Sequence, residues 1–563
     1  MKKSNNCIVV GTLAILLAVI SILPFTACSE KADNNTGGNE EEVTEKEPPE
    51  LVRRPASNPL LKGGDVPDPA VIRVGDAYYM VSTTMYFCPV APIMKSWDLV
   101  NWKIVSYCAD IIEDLPSFRL ETEDDARIGE YGRGQWASSI RYYNGKFWVI
   151  FTNNTTNKSY LYSTENADKG PWTRTVIDKR FHDPSIFLDD DGKMYIFHGN
   201  GNILLTEMLS DLSGVKPGGT DKIILAEADA PGATGGSEGA QVYKRNGYYY
   251  VFFCTFGTGS KTQNVLRSTD IEGPYEWRMI LNKTLGGKAV AQGGIVDTPD
   301  GDWYAFLFKE PNASGRVPTL VPMTWSADNW PILGDSSGNV PTTVRIKQAL
   351  NYDQNLYASD EFKDPELQLA WQWNHNPDND NWSLKERPGF LRIKTVGTSR
   401  TIYHARNTLT QRVFEPACEG TIALETTSMK DGDIAGLVLL QAISGFAGIE
   451  QDGDQKYIVM YTGDNENAAN RGKNAVVTRR EQVPFSGDKI YLKVNCTFRG
   501  NNVSGSEQAV FQYSMDGTEW TTIGTALNMQ WTMRHFTGAR FGLFNYATKE
   551  AGGYVDFDYF HVK

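Results

Sequence analysis

No Cys-x-x-Cys pair occurs among the seven cysteines, which stand far apart at Cys7, Cys28, Cys88, Cys108, Cys254, Cys418 and Cys496. That spacing supplies neither the ligand set of a zinc site nor the framework of a disulfide-stapled domain. Cys88 and Cys108 could pair, though buried free thiols are the plainer reading. A basic stripe is also missing. Lys and Arg number 55 against 68 Asp and Glu, and the net charge of −13 argues against nucleic acid while suiting a neutral partner such as a glycan. No long amphipathic helix can be traced. What the chain has in quantity is Gly, Tyr and Trp (52, 26 and 14 residues), the composition of turns and aromatic strands. The fold class expected is all-β, and 563 residues suffice for two or three domains with substantial cores.

The first 27 residues read as a lipoprotein signal peptide. Lys2 and Lys3 precede an apolar run from Cys7 to about Phe25, and Thr26-Ala27-Cys28 resembles a lipobox that would leave Cys28 lipidated. The competing reading is a plain transmembrane anchor, since the run is nearly long enough to span a bilayer. Small residues beside the cysteine, followed at once by polar sequence, favour the lipoprotein. The mature chain would then be a bacterial membrane-anchored lipoprotein facing the periplasm or cell exterior, held by acyl chains alone. Residues 28–50 are acidic and almost without apolar side chains, so they are expected to form a flexible tether.

From residue 51 to 346 a repeat governs the chain. A turn glycine precedes an aromatic strand at Gly75 (GDAYYMV), Gly145 (NGKFWVIF), Gly192 (DGKMYIFH), Gly247 (NGYYYVFF) and Gly301 (DGDWYAFL). Asn-Gly and Asp-Gly before such runs are hairpin signals. A second element, SWDLVNW in its first occurrence, recurs after several of them. Spacing near 50 residues, with an insertion expected at 109–133, predicts five units of about four strands: a five-bladed β-propeller. Residues 355–563 carry alternating segments such as LRIKTVG, GTIALETTS and KIYLKVN, which predict a C-terminal β-sandwich of jelly-roll type.

Three acidic segments stand before strand-like runs: VPDPAVI around Asp68, FHDPSIF around Asp183 and GGSEGAQVY around Glu238. An Asp before proline is a common turn former, and a glutamate between glycines can be a surface residue. Two Asp-Pro steps at equivalent places of different blades are harder to set aside, because innermost strands of a propeller converge on one axis. Prolines restrict the backbone around the first carboxylate. Carboxyls gathered on a rigid β scaffold are what cleavage of a glycosidic bond requires.

With PDPAVIRVGDAYYMVSTT, SWDLVNW, QWASSIRYYNGKFWV, HDPSIFLDDDGKMY, SEGAQVYKRNGYYYVF and GGIVDTPDGDWYAFLF in place, the chain resembles glycoside hydrolase family 43, the five-bladed propeller glycosidases. GRVPTLVPMTW, ASDEF, WQWNHNPDNDNWSL and ARNTLTQR are similar to the xylosidase-type members that add a sandwich. The resemblance implies that Asp68 is the general base activating water, Asp183 the residue tuning the acid, and Glu238 the general acid, its pKa raised by a neighbouring carboxylate. It implies inversion at the anomeric carbon. Arg316 would contact the sugar, with a surface arginine as the alternative, and Trp136 would stand near the pocket or pack in the core. The loop around Phe446 would reach the propeller mouth and narrow it into a pocket, unless Phe446 is a core residue. No cofactor is required for the chemistry. The histidine that many members have at the start of blade five, often associated with an axial metal, is absent from Ala291-Gln292-Gly293-Gly294. Asp360 and Asp556 resemble positions that hold a structural calcium in such sandwiches; turn or ladder carboxylates are the alternative.

The function expected is an inverting exo-glycosidase that releases terminal β-D-xylosyl residues from xylan-derived plant cell-wall oligosaccharides. An α-L-arabinofuranosidase or exo-arabinanase is the alternative within the family, and a non-catalytic glycan-binding lipoprotein the alternative outside it. The five-bladed invertase group is rejected, because its Asn-Asp-Pro-Asn and Glu-Cys settings are Pro-Asp-Pro-Ala and Ser-Glu-Gly here. The expected partners are those oligosaccharides; nucleic acid is excluded, and the membrane is met only through lipidated Cys28.

Overall fold

The computed structural model describes residues 48–563 except 122–128, 231–232, 258–259, 352–353, 466–474 and 499–506. The signal peptide, Cys28, all but the last three residues of the tether, and part of the predicted insertion therefore lie outside the described residues. The five repeats fold as five antiparallel sheets of four or five strands. Their innermost strands are Ala70–Val74, Gln135–Tyr143, Ser185–Leu188, Ala233–Arg245 and Lys288–Asp297. Each neighbours the next around a ring, and the last returns to the first. This is the five-bladed propeller.

The repeated glycine is explained by backbone geometry. Gly75, Gly145, Gly192, Gly247 and Gly301 have φ of +60° to +86° with open space where a Cβ would stand. The left-handed turn, not crowding, demands glycine. Asn144 and Asn246 before two of them also have positive φ (49° and 50°), which matches the tight hairpin turn that Asn-Gly favours.

The propeller closes outside its blades. Leu51–Ser57 pairs antiparallel with Thr343–Ala349, running from Leu51↔Ala349 to Ser57↔Thr343. The ladder carries the domain three residues past the expected boundary at 346. Beneath it Ala56, Val71, Met80, Trp102, Phe306, Val344 and Ile346 form one apolar cluster joining blades one and five.

The second domain is a sandwich of two large antiparallel sheets. Leu391, Ile422, Leu437, Ile449, Leu492, Phe541 and Phe557 pack between them. The two domains share structure. The short strand Phe87–Cys88, from blade one, forms the edge of a sandwich sheet by pairing with Gln372–Asn374. The insertion after blade one docks there too, with the Asn376 amide donating to the Phe118 carbonyl at 2.9 Å. All five cysteines from Cys88 onward are buried and free; Cys418 and Cys496 face each other across adjacent strands.

Phe446 corrects an expectation. It lies in the middle of the strand Ile443–Asp452, fully buried, with ring centroids 5.0 Å from both Tyr461 and Phe544. The flanking Ser444, Gly445, Ala447 and Gly448 are strand residues too: Cβ atoms at Gly445, Gly436 and Gly448 would strike Phe511 or neighbouring backbone. Small residues there serve close packing of sheets, not a flexible loop.

Candidate active site

Asp68 and Asp183 stand just ahead of the innermost strands of blades one and three. Both have left-handed φ, 50° and 46°, a conformation that non-glycine residues adopt only when their surroundings enforce it. Glu238 is placed differently from the expectation. It lies within the innermost strand of blade four, where the pairing register shifts between Glu238 and Gln241. Matching shifts occur at Gln135/Ser138 in blade two and Ala291/Gly293 in blade five. A bulge re-aims side chains locally, and here three of them fall at the same end of the axis. Asp68, Asp183, Gly239 and Gln292 line one depression there.

The two sides of this depression differ in charge. On one, Asp68 is held in place by its partners: Arg316 Nη1 donates to Oδ1 at 2.9 Å and Oδ2 at 3.1 Å, and Thr83 Oγ1 donates to Oδ2 at 2.6 Å. Arg316 and Asp68 each expose about 6% of their side chains, so this is a buried pair in which each charge compensates the other. Asp65, outside the expectations, sets the arginine. Its Oδ1 accepts from the Arg316 amide at 2.9 Å and its Oδ2 from the Gly538 amide at 2.8 Å.

On the other side His182, Asp183 and Glu238 cluster, with one polar atom of each within 4.8 Å of the others. His182 Nε2 lies 3.1 Å from Glu238 Oε2 and 3.5 Å from Asp183 Oδ1. Arg180 Nη2 stands 3.3 Å from Nδ1. Because a guanidinium only donates, Nδ1 accepts and the Nε2 proton points at Glu238. Burial pushes the Asp183 carboxyl up to about 7, with the Glu238 and Asp68 charges adding and His182 opposing. Burial also works to raise Glu238, but the His182 hydrogen bond and the Lys261, His182 and Arg316 charges hold it below the ordinary range. For His182 burial is outweighed by the two carboxylates, which raise its pKa. The expectation that a neighbouring carboxylate raises Glu238 is thus corrected: burial raises Asp183, while the His182 hydrogen bond holds Glu238 down. Exposure separates the two acids as well: Glu238 keeps 18% of its side chain open and Asp183 6%.

Trp136 borders this cluster, its ring centroid 5.7 Å from His182 and 5.6 Å from Phe536. Phe536 belongs to the sandwich, on the segment between Leu527–Asn528 and Arg540–Ala547. Its carbonyl accepts from Arg316 Nη2 at 3.2 Å, its ring lies 4.6 Å from the guanidinium, and next to it His535 stacks on Tyr131 at 4.1 Å. A sandwich segment does reach the propeller mouth, and its aromatic is Phe536 rather than Phe446. Nothing in the isolated motif signalled it, since the contact depends on how the domains dock. We expect Phe536→Ala to raise KM several-fold with a smaller fall in kcat, the signature of lost uniform binding. Steady-state kinetics on a short oligosaccharide checks it; an unchanged KM removes Phe536 from the pocket.

Asp360 and Asp556 do not fit a calcium site. Asp360 accepts from the Phe362 amide (2.8 Å) and Trp371 Nε1 (2.8 Å). Asp556 is gripped by Arg392 at 2.7 and 2.9 Å and by Arg387 at 2.9 Å. Two guanidiniums on one carboxylate repel a divalent cation, and calcium requires six to eight oxygens.

A propeller whose axis carries an arginine-bound carboxylate on one side and two acids gathered around a histidine on the other defines a glycosidase. Comparison with known proteins agrees. Residues 56–331 match the profile "Glycosyl hydrolases family 43" and residues 359–563 "Beta xylosidase C-terminal Concanavalin A-like domain". The chain belongs to glycosyl hydrolase family 43. It is 27% identical to a β-xylosidase of Formosa agariphila over 97% of both chains. It is 32% identical to a non-reducing end α-L-arabinofuranosidase of Bacteroides ovatus, over 62% of this chain and 67% of that one. A bifunctional family 43–CE protein of Bacteroides eggerthii superposes with TM-score 0.84 at 43% identity, covering 91% of this chain. This chain spans 64% of that longer protein.

Proposed function

We propose that this glycosidase is an inverting exo-enzyme that removes terminal β-D-xylosyl residues from xylan-derived oligosaccharides. The observation that carries the reading is the division of labour across the depression. Asp68, fixed by Arg316 and Thr83, is the base that takes a proton from the attacking water. Glu238, the more exposed acid, protonates the leaving oxygen. A bound sugar covers Glu238, and loss of water raises its proton affinity; Asp183, already near 7, is the adjoining proton source, and His182 Nε2 at 3.1 Å holds Glu238 by a hydrogen bond. Aromatic walls from Trp136 and Phe536 suit a single terminal sugar. The full-length likeness to a β-xylosidase supports xylose; the likeness to an arabinofuranosidase supports arabinofuranose as the second reading.

We propose further that Cys28 carries lipid, on the strength of Thr26-Ala27-Cys28 after an apolar run. One experiment addresses both points: a panel of aryl glycosides assayed on membrane and soluble fractions of cells producing the wild type or Cys28→Ala. We expect sustained aryl release, fastest from the β-D-xyloside, in the membrane fraction of the wild type and the soluble fraction of the variant. Preference for the α-L-arabinofuranoside replaces xylose by the second reading, and no release from any glycoside leaves a binding protein. Identical fractionation of both chains ends the lipid proposal.

A further inference from the structure

Lys261 opens the third strand of blade four and is a buried ammonium, 8% exposed. Its Nζ lies 2.7 Å from Gln292 Oε1 and 3.4 Å from Glu310 Oε1, with the rings of Phe256 and Phe308 at 4.8 and 4.7 Å. Burying an ammonium is costly unless it is well paired, and its nearest partner is a neutral amide on the propeller axis. That amide is itself constrained. Gln292 has a left-handed φ of 63°, its backbone amide donates to Gln263 Oε1 at 2.7 Å, and its side chain occupies the space a Cβ at Gly239 would need, 2.8 Å from Cγ. The backbone conformation, this hydrogen bond and the close approach of Gly239 together fix Gln292 where it stands.

An ammonium has donors only, so the oxygen of the Gln292 amide must face Lys261. Its NH2 group then faces Asp183, and Nε2 lies 3.3 Å from Asp183 Oδ2. That oxygen is thereby engaged as an acceptor. We propose that Lys261 is a positioning residue for the acid: through Gln292 it reserves Asp183 Oδ2 as an acceptor and leaves Oδ1, on the side of His182 and Glu238, to carry the proton. The inference rests on Glu238 and Asp183 as the acid pair, proposed above. The charged groups facing the pair are His182 and Arg180 from blade three, Asp68 and Arg316 across the depression, and Lys261, with Glu310 and the Cys254 thiol beyond it. The Lys261 charge favours the ionised form of both acids, and the Gln292 amide favours an ionised Asp183. Removing either raises the proton affinity of the pair, so the pH at which the acid loses its proton rises.

The test is the pH dependence of kcat/KM on an unactivated oligosaccharide, whose alkaline limb reports the acid. In Lys261→Met the limb is expected to move up by about half to one pH unit, with kcat lowered. Lys261→Arg, which keeps the charge, holds the limb within a few tenths of the wild type. Gln292→Met leaves the ammonium in place and breaks only the relay; it is expected to shift the limb in the same direction and stands in should Lys261→Met fail to fold. A purely structural Lys261 would change melting temperature alone. A limb unmoved in the folded variants overturns this inference while leaving the acid assignment standing; activity that survives Glu238→Gln overturns the acid assignment first.

Discussion

Glu238→Gln is expected to fold as the wild type does and to lose about 10²–10⁴-fold in rate on natural oligosaccharides. Glutamine is close to isosteric, and its carbonyl oxygen can still accept from His182 Nε2, which now lies 3.1 Å away. Removing the negative charge beside Asp183 also relieves one of the influences that raise that carboxyl. Stability should therefore change little, and circular dichroism with thermal melting checks this first. The rate loss depends on the leaving group. An aryl glycoside with an acidic phenol departs without protonation, so the deficit shrinks there, while a xylobiose-like substrate suffers in full. The contrast between the two substrates is the diagnostic, because a folding defect would lower both alike. Near-wild-type turnover of the oligosaccharide would remove Glu238 from the acid role and turn attention to Asp183.

The propeller was legible because its repeat is enforced by a backbone requirement. Five turns need a positive φ, and glycine supplied it each time at open positions where no packing interfered. Two of the acids were legible for a related reason: Asp68 and Asp183 occupy strained left-handed positions ahead of a proline, which leaves a visible Asp-Pro mark. What stayed hidden has no local mark. Lys261 is an ordinary residue at the start of a strand, and only the meeting of blades four and five brings it to Gln292. Phe536 stands in TMRHFTGAR without periodicity or a turn signature, and its place beside Arg316 is set by domain docking. Phe446 was misplaced because small residues around an aromatic suggest a loop, whereas adjacent sheets need the same small residues to approach each other. The direction of the Glu238 shift failed on His182, a residue quoted within its motif but given no part, whose hydrogen bond holds Glu238 down while burial raises Asp183.

Asp68→Asn is expected to abolish turnover with every leaving group, activated phenols included. Without a base the attacking water has no proton acceptor, and no acidity in the aglycone repairs that. Stability should suffer as well, unlike in the acid variant. Arg316 is 5% exposed and its guanidinium has the Asp68 carboxylate and the Phe536 carbonyl as acceptors. Stripping a partner from a buried pair costs about 3–5 kcal/mol when nothing replaces it; asparagine retains one acceptor oxygen, so the loss should fall below that range. A lowered melting temperature with intact secondary structure is the expected signature, and activity must be read well below it. The same residue decides the stereochemistry. If Asp68 directs water to the face opposite Glu238, wild-type enzyme acting on a β-xyloside releases the α anomer first, visible by proton NMR before mutarotation mixes the two. Early β anomer would mean that a carboxylate attacks the sugar itself and that water arrives later on the same face. In that case Asp68→Asn should still be inactive, so the anomer, not the rate, is the measurement that separates a base from a nucleophile.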